Sequence, residues 1–212
     1  MKHVALLTAL AIACTRTPSP PPPEAPVTAP APVAAATPTV TAPTPPTAPT
    51  PPTELTVTSA ARTAPLAAGD AAPSFRAPTH DGRAVTSDGA ARERVLVVYF
   101  YPRDETPGCT REACAFRDAF RAYGEAGADI VGVSTDTKAA HEAFAANHQL
   151  PFGLIADPQG VLARAFGLDA SGGFAPRYTF VIGRDGRVAR AFPNVRVDGH
   201  ADEVLAAVRA AR

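Results

Sequence analysis

The segment from Tyr99 to Asp118, YFYPRDETPGCTREACAFRD, constrains the fold most, because it passes from a strand through a polar loop into a helix. The apolar run from about Arg94 to Tyr101 predicts a buried strand of the kind found in parallel sheets. Apolar residues at three- and four-residue spacing predict a helix from Pro107 to about Ala126. The loop therefore delivers Cys109 to a helix N-terminus, where unpaired N–H groups and the helix dipole stabilise a thiolate.

The loop has a second property, the spacing of Pro102, Thr106 and Cys109 as P-x-x-x-T-x-x-C. This spacing would place the threonine hydroxyl beside the sulfur, where it can orient a small substrate that carries its own hydroxyl. A second thiol, Cys114, lies five residues further along the same predicted helix. The pattern indicates a redox-active cysteine.

Two other roles for the cysteine pair are a buried structural pair and half of a metal site. Buried unreactive cysteines need no proline-threonine loop in front of them. A zinc site needs further Cys or His at ligand spacing, and none of His80, His141, His148 and His200 belongs to a paired motif. The sequence places His141 and His148 on a solvated helix face.

The segment Tyr101 to Cys114 resembles the active-site segment of the peroxiredoxins, and its form is similar to that of the bacterioferritin-comigratory or Q type. The resemblance implies that Cys109 attacks a peroxide and that Pro102 and Thr106 shape its pocket. It also implies that Cys114 resolves the oxidised form. The sequence RYTFVI matches the family pattern R-x-T-F-x-I, which implies that Arg177 stabilises the thiolate and the peroxide.

The function predicted on this resemblance is that of a thiol-dependent peroxidase for hydrogen peroxide and small organic hydroperoxides. A sulfenic acid on Cys109 condenses with Cys114 to an intramolecular disulfide, and a thioredoxin-like dithiol partner reduces that disulfide. No metal, haem or flavin is expected. A thiol-disulfide oxidoreductase of the cell envelope with the same fold is the alternative, although such proteins use C-x-x-C. A redox-inert spacer or binding module is a third reading.

Strands and helices alternate along the rest of the chain. The pattern predicts strands at 129–135, 152–156 and 176–182, helices at 137–148, 160–166 and 200–210, and a closing hairpin through residue 192. Two short strands joined by an Asp-Gly turn are predicted between Gly69 and Val85. This order indicates an α/β fold with helices on both faces of a sheet, and the resemblance implies a thioredoxin fold with a mixed sheet over residues 69–212.

The N-terminal third has a different composition, with sixteen of the 24 prolines between Pro18 and Pro65. Residues 14–68 are rich in Pro, Ala and Thr and are predicted to form a disordered, extended tether. Before them, an apolar stretch from Val4 to Ala13 has the length of a signal-peptide core. The segment ending at Cys14 resembles a bacterial lipobox, although Ala11 stands where leucine is usual, and so residues 1–13 are predicted to be a signal and Cys14 to be lipidated. Cleavage after Ala13 with Cys14 left free is the alternative.

These predictions place the protein in the cell envelope, anchored by lipid on the periplasmic side. The formal net charge is zero and no basic run is present, which gives no indication of nucleic-acid binding. Membrane attachment is expected through the lipid alone. A monomer is expected, and a dimer is left open.

Overall fold

A computed structural model describes residues 54–87 and 93–211 of the 212-residue chain. Eight strands and four helices lie in this part. The strands are β1 (Thr56–Val57), β2 (Phe75–Pro78), β3 (Ala84–Thr86), β4 (Val95–Phe100), β5 (Ala128–Ser134), β6 (Gly153–Ala156), β7 (Tyr178–Ile182) and β8 (Val188–Phe192). The helices are α1 (Pro107–Glu125), α2 (Lys138–His148), α3 (Val161–Ala165) and α4 (His200–Ala210).

A five-stranded mixed sheet with the order β6-β5-β4-β7-β8 forms the centre of the domain. Strand β4 is its middle strand, parallel to β5 and antiparallel to β7. All six residues of β4 are buried, because the sheet is covered on both faces. The end of β4 is therefore a fixed point from which the loop to α1 departs.

Two hydrophobic cores lie on opposite faces of this sheet. Side chains of α1, α2 and α4 pack on one face, together with Val95, Val97 and Tyr99 of β4. Side chains of α3 and of the small antiparallel sheet β1-β2-β3 pack on the other face, with the alternate β4 residues. The predicted α/β class with a mixed sheet and helices on both faces is confirmed.

The predicted elements agree with the observed ones to within one or two residues for β4 to β8 and for all four helices. The Asp-Gly turn is present, with Gly82 at a φ of 80° that favours glycine. The hairpin around that turn is displaced, since its first strand begins at Phe75 and not near Gly69. The residues from Gly69 to Ser74 do not belong to a strand.

The predicted domain boundary at Gly69 is corrected by the structure. Strand β1 pairs with β2, the Arg62 amide donates to the Arg164 carbonyl, and the Leu66 side chain is buried under α3. The predicted tether of residues 14–68 therefore includes residues that fold against the domain from at least position 54 onward. Low charge and alternating small residues concealed this packing, because only Leu55, Val57 and Leu66 supply large apolar side chains.

The predicted signal at residues 1–13, Cys14 and the tether up to residue 53 lie outside the described residues. Among the helices of the described part, none has the length and apolarity required to cross a membrane.

Candidate active site

Cys109 is the third residue of α1 and is 2% exposed. Thr106 is the N-cap residue, with extended backbone angles, and its side chain makes no capping hydrogen bond. Because Thr106 leaves the first-turn amides uncapped, the amides of Gly108 and Cys109 keep their donor capacity near the sulfur. The predicted placement of this thiol at a helix N-terminus agrees with the geometry.

Arg177 contacts the sulfur directly, with its Nη2 atom donating to Cys109 Sγ at 3.0 Å. The contact joins residues 68 positions apart, because Arg177 directly precedes β7 and β7 pairs with β4, which leads into the Cys109 loop. Burial disfavours the charge on Arg177, but Glu112 and Cys109 outweigh burial and raise its pKa. A fixed positive charge therefore lies against the thiol.

Glu112 holds the same guanidinium from the other side and is a residue that the sequence reasoning missed. It lies one helical turn after Cys109, is 1% exposed, and accepts a hydrogen bond from Arg177 Nη1. Burial raises the pKa of Glu112 to about 7, although the charge of Arg177 opposes this shift. Its second oxygen, Oε1, has no hydrogen-bond partner among the described side chains and backbone groups. The signal for this residue was its three-residue spacing from Cys109 on one helix face.

His200 is a second missed residue of this buried region. Its Nε2 lies 2.9 Å from Thr179 Oγ1, and its ring packs edge-on against Phe116 and Phe192. Burial lowers the pKa of His200 to about 4, and the charge of Arg177 acts in the same direction. The imidazole of His200 therefore stays neutral near the guanidinium. The positive charge that acts on Cys109 and Glu112 comes from Arg177.

The other predicted site residues, Thr106, Pro102 and Cys114, lie on the loop and helix that carry Cys109. Thr106 Oγ1 donates to the Arg103 carbonyl at 3.0 Å, so its proton is occupied and its lone pairs remain free to accept. Pro102 is half-buried at the start of the loop. Cys114 is half-buried on α1, and both cysteines are free thiols.

Cys114 is not adjacent to Cys109 in this conformation. Five helical residues correspond to about 7.5 Å of rise and roughly 140° of rotation, so the two Cα atoms are about 9 Å apart. A disulfide requires no more than about 7 Å without backbone movement. In this geometry both cysteines are therefore free thiols, and Cys114 lies apart from Cys109.

The predicted solvated position of His141 is wrong. Its ring is fully buried and lies between Asp104 and the Ile155 carbonyl, because the face of α2 that carries Phe144 and Ala145 packs against the sheet and includes His141. His148 is partly exposed and its Nε2 lies 2.9 Å from Glu105 Oε2. Within residues 54–87 and 93–211, no group of three or more His, Cys, Asp or Glu side chains is arranged to share a metal ion.

Comparison with known proteins assigns the domain to a family. Residues 68–191 match the AhpC/TSA family. A bcp peroxiredoxin of Coxiella burnetii is 37% identical over 144 residues, which cover 65% of this chain and 95% of that protein. The chloroplastic peroxiredoxin Q of Populus jackii is 40% identical over 140 residues, which cover 65% of each protein.

Solved structures of peroxiredoxins are also similar to this chain. The bacterioferritin comigratory protein of Xanthomonas campestris, described for its alkyl peroxide reduction activity, is 36% identical with a TM-score of 0.57. The match covers 64% of this chain and 90% of that one. The predicted thioredoxin-type fold is confirmed by this structural similarity together with the family match.

Proposed function

We propose that Cys109 is the peroxide-reducing thiol of this chain, which belongs to the AhpC/TSA family as a peroxiredoxin of the Q or bcp type. Members of this type are thiol-dependent peroxidases, and so is this chain. The observation that carries this assignment is the hydrogen bond of Arg177 to Cys109 Sγ at the N-terminus of α1. Cys114 lies further along α1, away from the helix terminus, and Arg117, the cation that interacts with it electrostatically, donates its hydrogen bonds to Asp118 and to the His148 carbonyl. The two thiols therefore have different roles.

In the proposed first step, the Cys109 thiolate attacks the terminal oxygen of a hydroperoxide. The sulfur–oxygen bond forms as the oxygen–oxygen bond breaks, and sulfur is oxidised to a sulfenic acid. The leaving oxygen takes the electron pair and a proton and departs as water or an alcohol. Arg177 donates to the negative charge that develops, and Thr106 Oγ1 accepts a hydrogen bond from the hydroxyl of the peroxide and so orients it.

Hydrogen peroxide and small organic hydroperoxides are the proposed substrates. Cys109 is only 2% exposed, so we propose that access to its sulfur is narrow. A compact peroxide fits this restriction. Comparison of hydrogen peroxide with a series of alkyl hydroperoxides of increasing size tests it, and a rate that does not fall with size would contradict a narrow access.

In the proposed second step, Cys114 attacks the Cys109 sulfenic acid, forms a disulfide and releases water. The first turns of α1 must unwind for this step, because the helical separation of the two Cα atoms exceeds the reach of a disulfide. A thioredoxin-like dithiol protein then reduces the disulfide by thiol exchange. Unwinding also exposes the buried sulfur to that partner.

One pair of assays tests the assignment against a thiol-disulfide oxidoreductase. We expect the chain to consume hydrogen peroxide with dithiothreitol as the reductant and to show little reduction of insulin disulfides. The physical reason is that Cys109 is buried next to a cation suited to an oxygen leaving group, whereas a protein disulfide needs an exposed sulfur. Efficient insulin reduction without peroxide consumption would contradict the proposal.

We also propose that residues 1–13 are a signal and that Cys14 is lipidated, which would hold the domain on the periplasmic side of the cell envelope. The apolar stretch before Cys14 is too short to span a bilayer, and lipid attachment would supply anchoring that this stretch cannot. Cys14→Ala should release the protein from the membrane fraction. Retention of the variant with its signal still attached would indicate an uncleaved anchor instead.

A monomer is the proposed functional unit, because one chain supplies Cys109, Cys114, Glu112 and Arg177. Sizing of the reduced and oxidised chain tests this point. A dimer in either state, or a disulfide between chains, would contradict it.

A further inference from the structure

A buried polar cluster of Tyr101, Asp104 and His141 lies beneath the loop that carries Thr106, and its polar groups bond to partners other than the Cys109 sulfur. Asp104, from this loop, accepts a hydrogen bond from the Tyr101 hydroxyl at 2.7 Å. Its other carboxylate oxygen lies 2.8 Å from His141 Nδ1. The second ring nitrogen of His141, Nε2, lies 3.2 Å from the Ile155 carbonyl oxygen. The side chains of His141 and Asp104 are 0% and 5% exposed.

The closest polar neighbours of the two His141 ring nitrogens are both hydrogen-bond acceptors, whereas the Tyr101 hydroxyl lies further away, 3.4 Å from Nδ1, and donates its hydrogen to Asp104. A backbone carbonyl can only accept, so Nε2 must carry a hydrogen. In the neutral ring Nδ1 would then be bare and would face a carboxylate oxygen at 2.8 Å, which places two acceptors in contact. A proton must therefore lie between Nδ1 and Asp104.

The chemistry of the cluster places that proton on the imidazole. Imidazole is a stronger base than carboxylate, and the other Asp104 oxygen already accepts the hydrogen of the Tyr101 hydroxyl. Burial and the Asp104 carboxylate keep the pKa of Tyr101 well above its ordinary value, so this hydroxyl remains a donor. His80, the other nearby histidine, has its pKa lowered chiefly by burial and remains neutral.

Asp104 is also held through its backbone. Its amide donates to Asp136 Oδ2 at 2.9 Å, and the same oxygen accepts from the Ser134 hydroxyl. Asp104 is thereby connected to the ends of β4 and β5 and to α2. The loop can move at this point only if several buried hydrogen bonds break together.

The position of Asp104 determines the position of Thr106. Thr106 follows it by two residues, and the Thr106 hydroxyl donates to the carbonyl of Arg103, the residue just before Asp104. Thr106 is also the N-cap of α1, three residues before Cys109. A displacement of Asp104 would therefore move the hydroxyl that orients the peroxide, while Arg177, which directly precedes β7, would keep its contact with the sulfur.

We propose that His141 and Asp104 form a buried imidazolium–carboxylate pair that positions the Thr106 loop for peroxide attack by Cys109. Both are positioning residues, since neither touches the sulfur. The inference rests on the proposed role of Cys109. It adds that the alignment of the peroxide and the ionisation of the thiol are controlled by different parts of the structure.

Nuclear magnetic resonance of the native chain with isotope-labelled histidine tests the ion pair without any assay of activity. At neutral pH the His141 ring should show hydrogen on both nitrogens, and the spectrum of His141→Gln should lack that signal. If this variant does not fold, His3→Gln, His80→Gln, His148→Gln and His200→Gln assign the signal by elimination, because these four and His141 are the five histidines of the chain. A His141 ring with one bare nitrogen at neutral pH would overturn the ion pair.

Two rates measured on one variant test the positioning role. In His141→Gln the rate of Cys109 oxidation by hydrogen peroxide should fall about tenfold, because alignment is lost. The rate of Cys109 alkylation by iodoacetamide should stay within about twofold, because alkylation needs the thiolate but not Thr106. A general loss of structure would change both rates, so an equal fall in both would overturn the positioning role, as would no change in either.

His148→Gln is the matched control. It is on the same helix and binds Glu105 of the same loop, but this contact is partly exposed and glutamine can still donate to Glu105. Both rates should stay unchanged in the control. Should Cys109 itself prove unreactive toward peroxide, the proposed function would fail, whereas the nuclear magnetic resonance result would still decide whether the ion pair exists.

Discussion

The two thiols of α1 lie five residues apart on one helix, yet their surroundings differ. Cys109 is buried in the first turn and accepts a hydrogen bond from Arg177, which Glu112 holds in place. Cys114 is half-buried further along α1, and nearby Arg117 donates to the His148 carbonyl at 2.9 Å. Because both residues are cysteines, it is the environment that distinguishes Cys109, the proposed nucleophile, from Cys114.

Substitution of each cysteine by serine tests most directly whether the two thiols have different roles. Cys109→Ser should reduce peroxide consumption by at least about a thousandfold, because a hydroxyl is a far poorer nucleophile than a thiolate. Cys114→Ser, the matched control on the same helix, should keep the first oxidation at its native rate and lose only the disulfide. Peroxide consumption measures the first variant, and rapid quenching with mass spectrometry of the Cys109 sulfenic acid measures the second. Slow first oxidation in the Cys114 variant would give the two thiols a shared role.

Removal of the Arg177 guanidinium should make the reactivity of Cys109 toward peroxide more similar to that of Cys114. Arg177→Ala should slow peroxide attack about a hundredfold, because both thiolate stabilisation and donation to the leaving oxygen are lost. Arg177→Lys, which keeps the charge but not the planar pair of donors, should lie between the variant and the native rate. Single-turnover rates across pH measure this. If the plateau rate at high pH were native in Arg177→Ala, the role of Arg177 would be limited to charge.

Substitution of Glu112 should raise the stability of the fold at alkaline pH and lower the rate of peroxide attack. Its pKa is raised from 4.5 to about 7, so its contribution to stability is present below pH 4.5 and is lost as the pH rises through about 7. Glu112→Gln should remove this loss, on the order of 3 kcal/mol at alkaline pH, and should slow peroxide attack about tenfold because Arg177 is held less firmly.

Urea unfolding at acidic and alkaline pH, with single-turnover rates, tests the Glu112 prediction. Glu125→Gln is the control, because Glu125 is an exposed residue of the same helix that pairs with Arg121. It should change neither quantity. A Glu112 variant that lost stability at alkaline pH would show that the Arg177 pair stabilises the fold more than burial costs.

His200 should affect stability alone. Its pKa is lowered from 6.5 to about 4, so the fold loses stability as the pH falls from 6.5 to about 4, where the unfolded chain binds the proton and the folded chain does not. The amplitude is on the order of 3 kcal/mol. His200→Gln keeps a partner for Thr179 and should remove this acid loss, with a native peroxide rate at neutral pH. Urea unfolding against pH measures it, and an unchanged acid loss would place its origin elsewhere.

The local sequence predicted the position of Cys109 correctly. The apolar run of β4, the loop and the periodicity of α1 predict where the thiol lies, because strand, loop and helix are continuous in the chain. Arg177 came only through the family resemblance, since its contact with Cys109 depends on the antiparallel pairing of β4 with β7.

The errors have a common cause, which is packing between distant segments. His141 was placed on a solvated face, because a histidine at helical spacing does not reveal that Asp104 and Ile155 surround it. Glu112 was missed because an ionisable residue on α1 is ordinarily exposed, and here it is buried against Arg177. The start of the domain was placed too late, because Leu66 is buried by α3, about 100 residues further along the chain.

Hydrogen exchange on the reduced and oxidised forms tests the central claim that the two thiols meet only after α1 unwinds. Amides from Cys109 to about Phe116 should lose protection on oxidation, whereas those of Val95 to Tyr99 in β4 should keep theirs. The change should end near Arg117, whose bond to the His148 carbonyl holds the remainder of the helix. Equal protection of the two forms would contradict the claim and would make Cys114 a packing residue.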